Sequence, residues 1–406
     1  MKKHIVSLFR FVSYGLAVSF LLTVGQIQAA DLSRYHAKKI QYASQLQQEG
    51  KLAEAIDVLA PLTPTAKFDQ AYIARVLGVF YWQNEQEKKA IAELAKSVSL
   101  AALDKQSQWQ TEKMLADIYY SDHQFSPAIT HYQHLLITEY PTKSDKQRAE
   151  LTSNKNEVYL RLANGYYQKQ AWKNCLTHIR HFVPKNRVEK IQKYKIQLVS
   201  ELQLAYWSSA EKTAQRLIEL EPNQKMWWHQ LVAAQLQQKK SDKALVNYSL
   251  AKQQGIQFEA QDYKTLSQLY SQNKLPDRAA QIMGEMFIHY PSTKSESAIV
   301  RQATYWQMAK EWDKAEKVWQ QAAKINKKHY WPLAKLQSQQ KAYKRALIST
   351  ESARSVIVES EYRLMKVRLY YKLARFNDAL AQAKKLDEID PSEEAKDWIR
   401  YLKHKA

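Results

Sequence analysis

The sequence predicts an all-α solenoid of about ten helical hairpins stacked in series, closed by a C-terminal cap helix. Three observations lead there. Only 7 of the 406 residues are Gly, which argues against Gly-rich phosphate loops, tight β-hairpins and collagen-like sequence. Long runs of Ala, Leu, Gln, Lys, Glu and Arg favour helix. Most telling, one short unit recurs: an aromatic or apolar residue, two mostly polar residues, then a small one. It reads Leu52…Ala55, Phe125…Ala128, Trp172…Cys175, Trp207…Ala210, Trp312…Ala315, Tyr343…Ala346 and Phe376…Ala379, with weaker copies ending at Ala90, Ala244 and Ala279. Successive small residues lie 35, 38, 47, 35, 34, 35, 36, 31 and 33 positions apart, a spacing typical of helix–turn–helix repeats.

Taken in order, residues 1–30 read as a secretory leader. Lys2, Lys3 and Arg10 form a positive start, an apolar run of 14 residues spans Phe11 to Val24, and Gln28-Ala29-Ala30 offers cleavage near Ala29 or Ala30. The run is short against the roughly 20 apolar residues that a bilayer span needs. An uncleaved anchor starting near Ile5 is the alternative, and in both cases the rest of the chain is expected outside the cytoplasm. Residues 31–141 then form an N-terminal arm, 142–155 a polar insertion (a loop or an extended helix end), 156–391 a C-terminal arm and 392–406 the cap. In the cap, Trp398, Ile399 and Leu402 share one stripe among charges, as a terminal repeat needs for solubility.

Flanking residues agree with the hairpin reading. Each first helix carries a Leu, a small residue and an aromatic, clearest in Leu77-Gly78-Val79-Phe80-Tyr81, Leu115-Ala116-Asp117-Ile118-Tyr119, Leu162-Ala163-Asn164-Gly165-Tyr166 and Leu266-Ser267-Gln268-Leu269-Tyr270. Downstream, Pro141, Pro222, Pro291 and Pro391 end second helices, because proline lacks an N–H and clashes with the preceding turn. The set resembles the tetratricopeptide-repeat (TPR) family over nearly all of the mature chain, which implies a right-handed superhelix. Three copies depart from the family pattern. Glu201 and Gln337 stand where an aromatic is expected, and the copy near residues 36–69 lacks part of the set. These copies are expected to be less regular.

No catalytic set stands out: there is no P-loop, dinucleotide fingerprint, His-Glu-x-x-His or nucleophile elbow. Cys175 is the only cysteine, so an intramolecular disulfide is impossible. It occupies a small-residue core position, where Cys acts as a small hydrophobe. In Cys175-x-x-His178-x-x-His181 the outer pair sweeps about 600° of helix and ends about 120° apart, a poor start for a zinc site. His131 and His134 read as a surface pair. The formal charge of +21 falls to +18 without residues 1–30. It favours acidic partners, but it is spread along the chain, and most of the aromatics that would stack on nucleic acid are used in repeat packing.

The working surface expected from the TPR resemblance is the concave face, lined by the first helix of each pair. That nominates Tyr72, Arg75, Val79, Trp82 and Gln83, then Lys113, Asp117 and Tyr120, then Asn164, Tyr167 and Gln168. Such a mixed aromatic, amide and charged groove suits a peptide or partner helix. The alternative is that Trp82, Tyr120 and Tyr167 only pack between repeats. The segment Ala74–Gln83, followed by Met114-Leu115-Ala116-Asp117, is also similar to exported TPR proteins found with TonB energy-transduction systems of gammaproteobacteria. The resemblance implies a non-catalytic periplasmic scaffold, accessory to iron uptake, with a protein partner in the envelope (TonB or its inner-membrane partners). No cofactor, metal or nucleic acid is expected, and membrane contact only peripherally or through an uncleaved leader. The other reading is an envelope-polymer factor that binds peptidoglycan, lipopolysaccharide or exopolysaccharide through its positive charge.

Overall fold

The structure is a computed structural model that describes residues 32–405; the leader expected at residues 1–30 lies outside the described residues. Among these there are twenty-one α-helices and no strand, so the expected all-α fold is what the chain adopts. No described helix is long and apolar enough to cross a membrane. The chain divides into two compact units between Val183 and Pro184.

The first unit holds four hairpins: α1 (Arg34–Gln48) with α2 (Leu52–Leu59), α3 (Lys67–Gln83) with α4 (Glu87–Leu100), α5 (Lys105–Ser121) with α6 (Phe125–Ile137), and α7 (Asp145–Gln168) with α8 (Trp172–His181). The second holds six: α9 (Arg187–Gln203) with α10 (Trp207–Leu220), α11 (Lys225–Gln237) with α12 (Ser241–Gln253), α13 (Ala260–Gln272) with α14 (Pro276–His289), α15 (Glu296–Met308) with α16 (Trp312–Ile325), α17 (Tyr330–Gln339) with α18 (Tyr343–Ala353), and α19 (Glu359–Lys372) with α20 (Phe376–Ile389). The cap is α21 (Glu393–Lys403), whose Leu402, Trp398 and Ile399 pack on Val367, Ala379 and Ala383.

The small-residue positions explain the stacking. All ten, from Ala55 to Ala379 and including Cys175, are fully buried. A side chain no larger than a thiol lets the second helix approach its first helix closely, and the large residues on either side fill the gaps. One hairpin leaves an apolar face open, and its neighbour closes it. Ala90 and Leu94 of α4, for example, pack with Leu115 and Ile118 of α5. Each fully buried Leu of this kind is worth about 1.5–3 kcal/mol.

Every hairpin turns in the same way. The residue five positions before each small anchor has positive φ: Gly50, Glu85, His123, Gln170, Ala205, Lys239, Lys274, Lys310, Lys341 and Ala374. In the turn after α3, the Glu85 amide donates to the Trp82 carbonyl at 3.1 Å and the Gln86 amide to the Tyr81 carbonyl at 2.8 Å. These two bonds close the helix end in a Schellman motif, which usually recruits Gly at the left-handed position. Here only Gly50 is a glycine, so the turn is held by the packing around it and not by local preference.

The departures at Glu201 and Gln337 have a tertiary reason. The residue nine before the anchor faces the residue three after it. In hairpins three and four this pair is a stack, Tyr119 on His131 with ring centroids 5.9 Å apart and Tyr166 on His178 at 5.4 Å. In hairpins six and nine it is a hydrogen bond, Asn247 to Gln235 at 3.2 Å and Ser349 to Gln337 at 2.8 Å. Glu201 accepts from Gln197, which also bonds Thr213, the residue opposite. The ninth hairpin is short, with helices of 10 and 11 residues against 13 and 14 in the eighth. The first is irregular too, its α2 having 8 residues, and so is the fourth, with 24 and 10, whereas the copy at Glu201 keeps helices of 17 and 14.

Residues 145–155 of the polar insertion are the opening turns of α7, which runs for 24 residues. Ser144 starts it by accepting the Gln147 amide, as an N-cap does. The division between the two units falls one hairpin later than this insertion.

Candidate functional site

The nominated residues lie on α3, α5 and α7 of the first unit, and side-chain contacts join the three helices along one stripe. Arg75 of α3 donates to Gln110 of α5 at 3.3 Å. Lys113 of α5 pairs with Asp117 at 2.9 Å and with Glu157 of α7 at 3.4 Å. Arg161 of α7 pairs with Glu157 at 3.4 Å, lies 3.9 Å from Asp117 and covers the Tyr120 ring at 5.6 Å. The spacing on each helix is three or four residues, so these groups share one face.

Asp117 is the centre of the stripe. Besides Lys113 it takes the hydroxyl of Tyr132, a fully buried side chain of α6, at 2.5 Å. Burial works to lower the Lys113 pKa, but the Asp117 and Glu157 carboxylates outweigh it and hold the ammonium charged. Burial likewise opposes Arg161, and Asp117 leads the groups that raise its pKa. Tyr120 and Tyr132 are pushed up, chiefly by burial. The four charges of Lys113, Asp117, Glu157 and Arg161 therefore balance one another.

Arg75 differs. Among the described residues no carboxylate lies within ion-pair distance of it, and its neighbours are the Gln110 amide and Tyr72. Burial lowers its pKa, the mark of a desolvated cation without a full counter-charge. Asn164 has no side-chain hydrogen bond among the described residues, and Gln83 and Gln168 are exposed. These are the groups with capacity left for a ligand.

Several nominated residues serve the fold as well. Val79 is 5% exposed, so it belongs to the core and not to the lining. Trp82 packs against the Ala90–Leu94–Leu115–Ile118 cluster. Tyr72 stacks on Phe68 at 6.0 Å, Tyr120 meets the Phe125 edge at 5.5 Å and Tyr167 the Trp172 edge at 5.4 Å. All four keep part of their surface open. Gln110, Glu157 and Arg161 belong to the stripe and were not nominated. Their signal was present, since Glu157 and Arg161 repeat on α7 the (i, i+4) charge pair that Lys113 and Asp117 make on α5.

The histidine readings resolve differently. His131 and His134 are not a bare surface pair: they converge on buried Glu112 at 3.0 and 2.7 Å. His178 is half-buried and its Nδ1 has no hydrogen-bond partner among the described residues. No group of three His, Cys, Asp or Glu among the described residues is placed to hold a metal ion.

No protein-family model matches the chain, and no curated protein matches it. Solved structures similar to it include a tetratricopeptide repeat protein from Parabacteroides merdae, at 13% identity and a TM-score of 0.35, over 68% of this chain and 99% of that one. The TPR2AB domain of yeast Sti1, solved in a pHSP90 complex, is similar at 12% identity and a TM-score of 0.34, over 69% of this chain and 98% of that one. Cut9, solved with Hcn1 in an APC/C hetero-tetramer, is similar at 11% identity and a TM-score of 0.27, over 92% and 97%.

Proposed function

We propose that the chain is a non-catalytic scaffold of the periplasm that binds an extended segment or helix of a protein partner along α3, α5 and α7. One observation carries this reading. The stripe is internally braced by a balanced set of four charges, yet it leaves Arg75, Asn164, Gln83 and Gln168 with unused hydrogen-bonding capacity beside half-open aromatics. A surface already rigid before contact loses little entropy on binding. The leader supports export, and the likeness around Ala74–Gln83 supports an accessory role in TonB-dependent iron uptake.

Affinity capture from a cell-envelope extract tests the scaffold. A partner retained by the native chain is expected to be lost with Arg75→Glu and Tyr72→Ala when circular dichroism shows the fold intact. Capture that is indifferent to both changes contradicts the reading. The TonB role predicts impaired iron uptake on deletion, and unchanged uptake through every TonB system removes it. Salt-sensitive sedimentation of the chain with purified cell wall would instead favour a polymer-binding role.

A further inference from the structure

The ninth hairpin is about three residues shorter in each helix than the eighth. Three residues are about 4.5 Å of helix. Where α18 stops short, a cavity of about 520 Å³ lies largely open to solvent, lined by Lys327, Tyr330, Glu351, Ser352, Arg354, Ser355 and Glu359. Two short 3₁₀ turns, Lys327–His329 and Arg354–Val356, form parts of its wall. Lys327 stands twelve residues after its anchor, where Pro222, Pro291 and Pro391 stand in three other hairpins.

Its charges are unequally satisfied. Glu351 is bound by Lys366 and by the Tyr362 hydroxyl at 2.6 Å. Glu359 is bound by Arg363 at 2.6 Å. Both carboxylates are thus answered within the fold. Lys327 has no carboxylate within ion-pair distance among the described residues. Arg354 reaches Glu359 only at 4.0 Å and otherwise lies over the Tyr362 ring. The Ser352 hydroxyl donates to the Ile348 carbonyl at 3.0 Å, which leaves its oxygen as an acceptor. The surroundings strengthen the same sign: from Lys310 to Arg354 the chain has eleven Lys and Arg against four acids.

The geometry points to this cavity as a binding site for a phosphorylated polyol, with the phosphoryl group between Lys327 and Arg354 and the carrier's hydroxyls against Ser352, Ser355 and Tyr330. A planar guanidinium and a mobile ammonium together suit a phosphoryl group. Glu351 and Glu359 add hydroxyl acceptors while disfavouring a purely anionic occupant, so the carrier contributes to recognition. A cavity of this size holds a hexose phosphate. The phosphoryl group can belong to a soluble ester or to the headgroup of a membrane lipid, and the same site chemistry serves either.

Isothermal titration of the whole chain with glucose 6-phosphate, glucose and inorganic phosphate tests the site. One-to-one binding of the ester is expected, with glucose and phosphate at least ten-fold weaker. Lys327→Gln and Arg354→Gln should each weaken the ester ten-fold or more, Ser355→Trp should block it by filling the cavity, and Lys264→Gln on α13 should leave it unchanged. In a second arm, phosphatidylglycerol vesicles replace the ester. Vesicle binding lost in the Lys327, Arg354 and Ser355 variants but kept by Lys264→Gln assigns the phosphoryl group to a lipid. Absence of binding in both arms, or equal loss with Lys264→Gln, overturns the proposal. Circular dichroism of each variant separates loss of the site from loss of the fold.

Discussion

The Gln337 amide donates to the Glu316 carboxylate at 2.8 Å, from the ninth hairpin into the eighth. Gln235 makes the same bond to Glu211 at 3.2 Å, from the sixth into the fifth. In both places the acid directly follows a small anchor, and a cation of the next hairpin completes the set: Arg345 on Glu316 and Lys240 on Glu211, each at 2.9 Å. The amide replaces an aromatic, and the neighbouring hairpin supplies the acid that satisfies it. A residue that breaks the repeat pattern is thus matched across the boundary, because a buried polar group must be partnered.

Restoring the repeat pattern should therefore harm the protein. Gln337→Tyr leaves Glu316, which is 3% exposed, short of a donor and should cost about 2–3 kcal/mol. The double change with Glu316→Ala should recover part of that loss. Denaturant melts of the four proteins measure the coupling, and strict additivity would argue against the pair.

The left-handed turns offer the opposite test. Ala205 and Ala374 sit at φ of 58° and 56°, where a Cβ costs roughly 1–2 kcal/mol. Ala205→Gly and Ala374→Gly should each stabilise by about 0.5–1 kcal/mol once the unfolded-state entropy of Gly is subtracted. Gly50→Ala should destabilise by about 1 kcal/mol. Thermal melts read all three.

How much of this was legible follows from which side chains carry each feature. The ten anchors were visible because close packing of two helices demands a small residue at a fixed spacing, and all ten are buried. The turns were not visible, since the Glu, Gln, Lys and Ala that fill most of them carry no local preference for positive φ. The cause of Glu201 and Gln337 lay in other segments and could not be seen one copy at a time. In the candidate stripe the expected residues fall on the first helices α3, α5 and α7, but Val79 and Trp82 could not be divided between core and surface. That division depends on where α4 and α5 pack.

Asp262 sets an acid limit on the second unit. It receives Lys225 at 2.6 Å, the Tyr248 hydroxyl at 2.7 Å and the Glu259 amide at 2.7 Å, with His229 at 2.9 Å. Burial works to raise its pKa, but these partners together hold it far below the ordinary aspartate value of 3.8. The unfolded chain binds this proton first. The contribution is thus complete above about pH 4 and is lost as pH falls toward the folded-state pKa. Asp262→Asn should cost about 2–3 kcal/mol at neutral pH and flatten the stability profile below pH 4, as urea midpoints across pH would show.

His178 works at milder pH. Burial, and then the charge of His181, lower its pKa from 6.5, so the fold prefers the neutral ring. Its contribution holds above pH 6.5 and is lost as pH falls below that value through the folded-state pKa. His178→Phe keeps the stack on Tyr166 and should remove this part of the acid slope. An unchanged slope between pH 6.5 and 5 would count against the assignment.

The central claim is that the stripe on α3, α5 and α7 is where a protein partner binds. In-cell photo-crosslinking tests it most directly, with the reactive residue placed at Tyr72, Gln83 or Gln168 and, as controls, at Val246 and Ile348, which are 65% and 67% exposed on second helices. One defined protein adduct from the stripe positions and none from the controls is the expected result. Adducts that form equally at all five positions, or only at the controls, would contradict it.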